Sequence, residues 1–366
     1  MQPGQRRHVL LVEPFHGGSH RAFAEGLARH SRHRIDLLTF PPEAWRWRLR
    51  AGALAAAERV ARRRPDLLVI SSLLDGAHLL GLLGPGAPPA VAYFHESQLG
   101  YPRPEGKGAD LHLAIANVAT ALAAHRTWFN SRFHRDDFLA RLPAILEHLP
   151  PPRPRRATVA IRRRSRVLHP GVSLPPPPTD RPPGRPPILL WNHRWEFDKN
   201  PGRFFRICYR LRDRGIPFRL VLLGENSQFV PKPFLLARER LGDRILQYGW
   251  VRSRRAYERW LERADVVLST AGQENFGIAV VEAVAAGCYP LLPRDLAYPE
   301  VLPPRLHRDH LYADPQDLAE RLEALLGRPD RLRAGRADRR RAMERYAWDR
   351  AARRFDRALD RAADRR

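Results

Sequence analysis

The sequence predicts an α/β protein made of two similar halves, each a parallel, doubly wound sheet. Three observations carry this. Short apolar runs alternate with helix-patterned segments from residue 8 to residue 148, and the alternation restarts at residue 188. Such alternation marks parallel strands joined by crossover helices. A Pro-rich stretch separates the two series, as a linker between domains does. The length, 366 residues, suits two domains better than one, and a hydrophobic content of 43% is enough for ordinary cores.

Each element follows from its local pattern. "HVLLVEP" (8–14) is a short apolar run before glycines, hence a buried strand. "SHRAFAEGLARH" follows with helical period. "IDLLTF", "DLLVISS" and "AVAYFH" are further strands, each closed by a polar or Pro-rich turn. "LHLAIANVATALAAH" has helix-forming composition, and "TWFNSRFHRDDFLARL" is a strand end leading into an amphipathic helix. Residues 150–166 then carry seven arginines and no acid, and "VLHPGVSLPPPPTDRPPGRPP" is stiff with proline. This change of character is the domain boundary. The strands "ILLWNH", "FRLVLLGE", "ILQYGW", "ADVVLST" and "CYPLLP" build the second half. The expected division is residues 1–178, a linker at 179–187, residues 188–340, and a charged amphipathic helix over 341–366.

Composition narrows the function. The apolar stretch 67–83 is interrupted by Asp75 and His78, and a bilayer-crossing helix needs about 20 clean residues. It reads as a strand and a helix, not an integral membrane segment. The N-terminus has no signal-peptide cleavage pattern. Cys208 and Cys288 give neither a disulfide framework nor a metal spacing. A cytoplasmic protein with reduced thiols is expected. The chain has 64 Lys and Arg against 39 Asp and Glu, a net +25, and only Lys107, Lys199 and Lys232 are lysines. Such a surplus favours a polyanionic partner, nucleic acid or an anionic membrane surface.

The chemistry concentrates in "QENFGIAVVEAVAAGCYPLL" (273–292). Glu274 sits in a strand-to-helix loop, and Glu282 lies about two turns into the helix, which Gly287 ends. The backbone N–H groups of Asn275, Phe276 and Gly277 open that helix, a natural seat for a phosphate or a polar sugar. A ligand with a central anion and hydroxyls at both ends suits this arrangement, and a nucleotide sugar is one. Upstream, "WNHRWEFDKNP" places Arg194 and Lys199 in one loop. A guanidinium fork and an ammonium together can hold a diphosphate. Gly17 and Gly18 follow the first strand, where glycine allows close backbone approach. His95, flanked by Glu96 and Gln98, closes a strand with a polarity that marks a site. Trp191, Trp195 and Trp250 read as packing residues.

In chain order these pieces resemble the retaining GT-B glycosyltransferases of the fourth sequence family, two Rossmann-like domains facing a cleft. "VEPFHGGSH", "RWRLR", "YFHESQLGYP", "FNSRFH", "HRWEFDKNP", "VLLGE", "ADVVLSTAGQENFGIAVVEAVAAGCYPLLPRDLAYPE" and "YAWDRAARRF" resemble one branch more closely, the tRNA-queuosine alpha-mannosyltransferases. These segments span residues 12–355. The resemblance implies that Glu274, with Asn275, Phe276 and Gly277, holds the transferred sugar, and that Glu282 binds the donor ribose. Arg194 and Lys199 would neutralise the departing diphosphate, without a metal. Gly17, Gly18, Gly224, Tyr248, Trp250 and Val251 would complete the donor site, and His95 would point across the cleft to the sugar. It also implies GDP-mannose as co-substrate, queuosine in a tRNA anticodon as acceptor, a monomeric enzyme, and a C-terminal helix crossing back to the first domain. His16, Ser19, His20, Glu96, Gln98, Asp110 and Asn117 are the acceptor candidates. Arg153, Arg155, Arg156, Arg162, Arg163 and Arg164 would follow the RNA backbone.

Two other readings compete. A GT-B enzyme acting on a lipid or polysaccharide at the membrane requires an exposed apolar and basic face in the first half, and no clear amphipathic anchor is visible there. A non-catalytic RNA-binding protein on this fold would not need Arg194, Lys199, Glu274 and Glu282 together.

Overall fold

The computed structural model of the chain describes residues 5–101, 110–177, 185–225 and 229–364. The chain divides into two compact units, one of Met1–Val172 with Tyr346–Arg366 and one of Ser173–Arg345. Each carries a sheet of six parallel strands. Of the expected linker at 179–187, residues 179–184 lie outside the described residues. No helix among the described residues is long and apolar enough to cross a membrane.

In the first unit, β1 (His8–Glu13), β2 (Arg34–Thr39), β3 (Leu67–Ser71), β4 (Ala90–Phe94), β5 (Arg126–Phe129) and β6 (Ser165–Val167) lie in the order β2-β1-β3-β4-β5-β6. Val9 pairs with Ile35 on one side and Leu67 on the other. The covering helices are α1 (Gly18–His30), α2 (Trp45–Arg63), α3 (Gly76–Leu83), α4 (Leu111–Ala123), α5 (Arg132–Glu147) and α6 (Ala157–Arg164). Successive side chains of a strand point to opposite faces, so β1 serves two cores. Leu10 and Val12 pack with Ala53, Ala56 and Val60 of α2. Val9 and Leu11 pack with Phe23 and Leu27 of α1 and with Trp348, Phe355 and Leu359 of the C-terminal helix Trp348–Ala363. That helix therefore belongs to the first unit. A Cβ at Gly26 would stand 2.2 Å from the Trp348 indole, so only glycine admits this close crossing.

The arginine-rich stretch, expected within the first domain, forms α6 and β6. Ala157 and Ile161, four residues apart, bury a small apolar face against Val118, Ala121 and Phe138, which the arginines mask in the sequence. The tail corrects an expectation, for it is not one helix. A helix at Arg336–Met343 gives way to a 3-10 turn at Glu344–Tyr346 before the C-terminal helix begins. Tyr346 is buried there, and its carbonyl accepts from Val172 N at 2.8 Å.

In the second unit, β7 (Ile188–Trp191), β8 (Arg219–Leu223), β9 (Ile245–Gly249), β10 (Val266–Leu268), β11 (Tyr289–Pro293) and β12 (Leu311–Tyr312) lie in the order β12-β11-β10-β7-β8-β9. α7 (Pro201–Asp213), α8 (Lys232–Leu241), α9 (Arg254–Arg263) and α10 (Ile278–Ala285) follow β7, β8, β9 and β10. Strands β7 and β10 are neighbours, with Leu189 opposite Val266. The loops leaving them are therefore neighbours too, and they carry the candidate chemistry.

Candidate active site

Adjacency of β7 and β10 brings together residues 75 positions apart in sequence. The β7 loop runs into α7 through Asn200, which adopts a left-handed conformation (φ 53°) and caps α7 by accepting from Arg203 N at 3.3 Å. This turn buries Lys199. Its Nζ donates to the Gln273 carbonyl at 2.6 Å and to Glu274 Oε2 at 3.3 Å, and stands 3.2 Å from Asp198 Oδ2. The Glu274 side chain remains 17% exposed. Burial alone would raise its pKa, but Lys199 and His193 outweigh this and hold it below the usual carboxylate value. Glu274 is thus an ionised acceptor beside an ammonium. Arg194 is 58% exposed, with its guanidinium 3.8 Å from Asp198.

The N–H groups expected at the start of α10 are partly engaged. Phe276 N points at Glu274 Oε1 at 3.5 Å, and Asn275 Oδ1 accepts from Gln273 at 3.1 Å. Gly277 holds φ 90° at the N-cap of α10. Glu282, expected on a ribose, is buried and already held: Arg254 reaches its Oε1 at 2.5 Å and the Tyr257 hydroxyl donates to its Oε2 at 2.9 Å. Burial raises the Glu282 pKa against both partners.

Gly224 is required where it stands. Its φ is 99°, and a Cβ would meet the His193 carbonyl oxygen at 2.3 Å. The turn thereby brings Glu225 to accept from Trp195 N at 3.1 Å. Tyr248 packs edge-on to Trp195, and its buried hydroxyl has no hydrogen-bond partner among the described residues. Val251 is half-buried. Trp191 and Trp195 are packing residues as expected, but Trp250 is 63% exposed and is not.

In the first unit, β1 ends in Glu13, fully buried at the carboxyl edge of the sheet. Its Oε2 lies 3.1 Å from His20 Nδ1 and 3.9 Å from His95 Nε2, and its Oε1 accepts from Phe15 N at 3.0 Å. Burial, with His20 next to it, pushes His95 well below the ordinary imidazole value, so the ring is neutral. The donor atoms of Glu13, His20 and His95 lie within 4.8 Å of one another, close enough to hold an ion. The Glu13–His20 pair is itself within hydrogen-bond distance, and the His20 ring lies 4.3 Å from that of His95.

The other acceptor candidates separate by role. His16 Nε2 is 3.3 Å from Glu25, and Ser19 is exposed on the first turn of α1. Glu96 is half-buried. Asp110 caps α4 by accepting from Leu113 N at 3.3 Å and also faces Arg50 at 3.3 Å. Asn117 is buried, accepts from Gln98 N at 2.8 Å and donates to the Ser72 carbonyl at 2.8 Å. Both ends of its amide serve the fold, so Asn117 positions the loop of Gln98. Gly17 is needed because a Cβ would stand 2.5 Å from Pro42 Cβ, and Gly18 holds φ 49°. Among the arginines, Arg155, Arg156, Arg162 and Arg163 are exposed. Arg153 reaches the Leu149 carbonyl at 3.0 Å. Arg164 binds the carbonyls of Leu122, at 2.5 Å, and Ala124, and so closes the end of α4.

Residues 8–172 match the family model for the tRNA-queuosine alpha-mannosyltransferase N-terminal region, and residues 178–349 match that for glycosyl transferases group 1. A tRNA-queuosine alpha-mannosyltransferase of Drosophila melanogaster is 32% identical over 361 residues, covering 94% of this chain and 92% of its own length. The chain belongs to the tRNA-queuosine alpha-mannosyltransferase family. A GDP-mannose-dependent alpha-(1-6)-phosphatidylinositol dimannoside mannosyltransferase of Mycobacterium tuberculosis is 32% identical over 167 residues, 45% of this chain and 42% of its own. Among solved structures, a sucrose-phosphate synthase from Thermosynechococcus elongatus aligns with a TM-score of 0.77 at 16% identity, covering 97% of this chain and 99% of its own. The protein is a nucleotide-sugar-dependent glycosyltransferase with the GT-B fold.

Several residues around this candidate site were not singled out from sequence. Glu13 closes an apolar strand with an acid, a signal that the proline after it hid. His193 lies two residues beyond β7; burial, and then Lys199, push it down to about 4, and its buried Nε2 has no hydrogen-bond partner among the described residues. Asp198 flanks Lys199. Arg254 and Tyr257 lie one turn apart on α9, a spacing common on any solvated helix.

Proposed function

We propose that the chain transfers mannose from GDP-mannose to queuosine in a tRNA anticodon, with retention of configuration, as a cytoplasmic monomer and without a metal. The near full-length relative carries this reading, because it spans both units at once. The Lys199–Glu274 pair supports the donor half. A nucleotide diphosphate arriving at Arg194 and Lys199 meets two cations, which stabilise charge as the C1–phosphate bond breaks. Glu274, ionised, accepts hydrogen bonds from sugar hydroxyls and fixes C1 for attack. His193 offers a neutral imidazole beside them. The queuosine hydroxyl forms the new bond to C1 on the face from which GDP departs. Its proton passes to the leaving phosphate oxygen, so no enzymic nucleophile is required. On the acceptor side, Glu13 holds His20 by a hydrogen bond, and the His20 ring packs against that of His95.

Calorimetric titration with GDP tests the donor placement. Replacing Lys199 by Ala should weaken GDP by roughly tenfold or more, the worth of a charged hydrogen bond, while tRNA affinity stays within about twofold. Unchanged GDP affinity would place the diphosphate elsewhere. Activity surviving Glu274→Ala would do the same for the sugar.

A further inference from the structure

Helix α2 opens with "WRWRLR", and its two tryptophans have opposite fates. Trp45 is half-buried against Leu49, Leu73, Leu113 and Ala116. Trp47, about 200° further round the helix, is 74% exposed, and Leu54, two turns on along the same line, is 56% exposed. Arg46 and Arg50 are exposed beside Trp47. An indole displayed this openly has no packing role in a folded unit. Its position is also particular. Helix α2 follows the loop leaving the carboxyl end of β2, and that loop is tied to the one after β1 by His16 N donating to the Phe40 carbonyl at 3.0 Å. Arg50 reaches Asp110 at 3.3 Å. Trp47 thus stands at the sheet edge that carries His16, His20 and Asp110, where open α/β sheets bind ligands. The sequence shows no clear apolar and basic face in this half; the structure displays one.

We propose that Trp47 is a stacking platform for an unpaired anticodon-loop base next to the modified nucleoside, with Arg46 and Arg50 contacting the adjoining phosphates. The proposal rests on the tRNA reading of the function. Loop bases can be splayed and stacked on aromatic faces, and arginines flanking the ring meet the backbone on either side. An anionic membrane fits the surface less well. An interfacial helix buries a continuous apolar face, whereas Glu58 follows Leu54 by one turn and is exposed, and Leu49, Ala53, Ala56 and Val60 are committed to the core.

The test compares the full-length protein with Trp47→Ala and Trp47→Tyr, titrating queuosine-containing tRNA at several salt concentrations. Trp47→Ala should raise Kd roughly tenfold or more, with an unchanged slope against log salt and an unchanged melting temperature. Trp47→Tyr should recover most of the affinity. Arg50→Ala should instead lower the salt slope by about one. A Kd within twofold of wild type for Trp47→Ala overturns the proposal, as does loss of binding to phosphatidylglycerol vesicles with tRNA affinity intact. The function reading fails separately, through absence of transfer by the wild-type protein, because tRNA binding is read here without turnover.

Discussion

Lys199 illustrates how a residue's role changes once its neighbours are known. In sequence it is one cation of a pair. In the fold it is buried between Asp198, Glu274 and the Gln273 carbonyl, and removing either charged partner would leave a buried charge exposed to the full desolvation cost. His193 beside it is held neutral, and the sign of its linkage is fixed by its lowered pKa. The unfolded value is 6.5 and the folded value about 4, so the unfolded state binds the extra proton between them. Stability is full above pH 6.5 and is lost as pH falls toward 4. His134, at about 3, and His310, at about 4, add the same dependence, again chiefly through burial. Glu282, raised by burial, works in the opposite direction. At pH 5 His193 alone should cost on the order of 2 kcal/mol. Urea midpoints at pH 7 and pH 5 check this, and His193→Asn should remove part of the drop. Equal midpoints at both pH values would contradict the buried neutral histidines.

At the scale of elements, the arginine-rich segment is where sequence and structure differ most. Its arginines have separate duties. Arg162 and Arg163 are exposed, and Arg162 lines a surface hollow of about 480 Å³ with Arg135, Asp136, Leu139 and Ala140. Arg164 instead binds the carbonyls that end α4. Replacing Arg162 and Arg163 by Ser should weaken tRNA binding and lower its salt slope by up to about two, without changing the melting temperature. Arg164→Ser should lower the melting temperature. Filter binding and thermal melts separate these outcomes, and an unchanged salt slope in the double variant would show that α6 does not meet RNA. Strands such as β1, β3 and β4 were legible because parallel strands covered on both faces read as unbroken apolar runs. The helix α6 was not, since Ala157 and Ile161 are its only fully buried side chains. Strand β12 has two residues, too few for any period. The break at Tyr346 has a tertiary cause, its bond to Val172, and local pattern does not report that. Glu274 and Lys199 were legible as types in a spacing. Their mutual contact was not, because it depends on β7 and β10 being neighbours.

For the whole molecule, the chain builds most of one unit, then the second, and returns at Tyr346 to complete the first with Trp348, Phe355 and Leu359. The net charge of +25 is spread over a protein whose family acts on tRNA, and a polyanionic substrate accounts for a surplus that the fold does not require. The central claim is sugar transfer to one modified nucleoside. It is tested most directly by incubating the purified protein with GDP-mannose and total tRNA, with queuosine-free tRNA as control, and weighing the digested nucleosides by mass spectrometry. A hexose is expected on queuosine and on nothing in the control. No added hexose with any GDP- or UDP-sugar would contradict it and leave a GT-B enzyme whose acceptor is a lipid or a glycan.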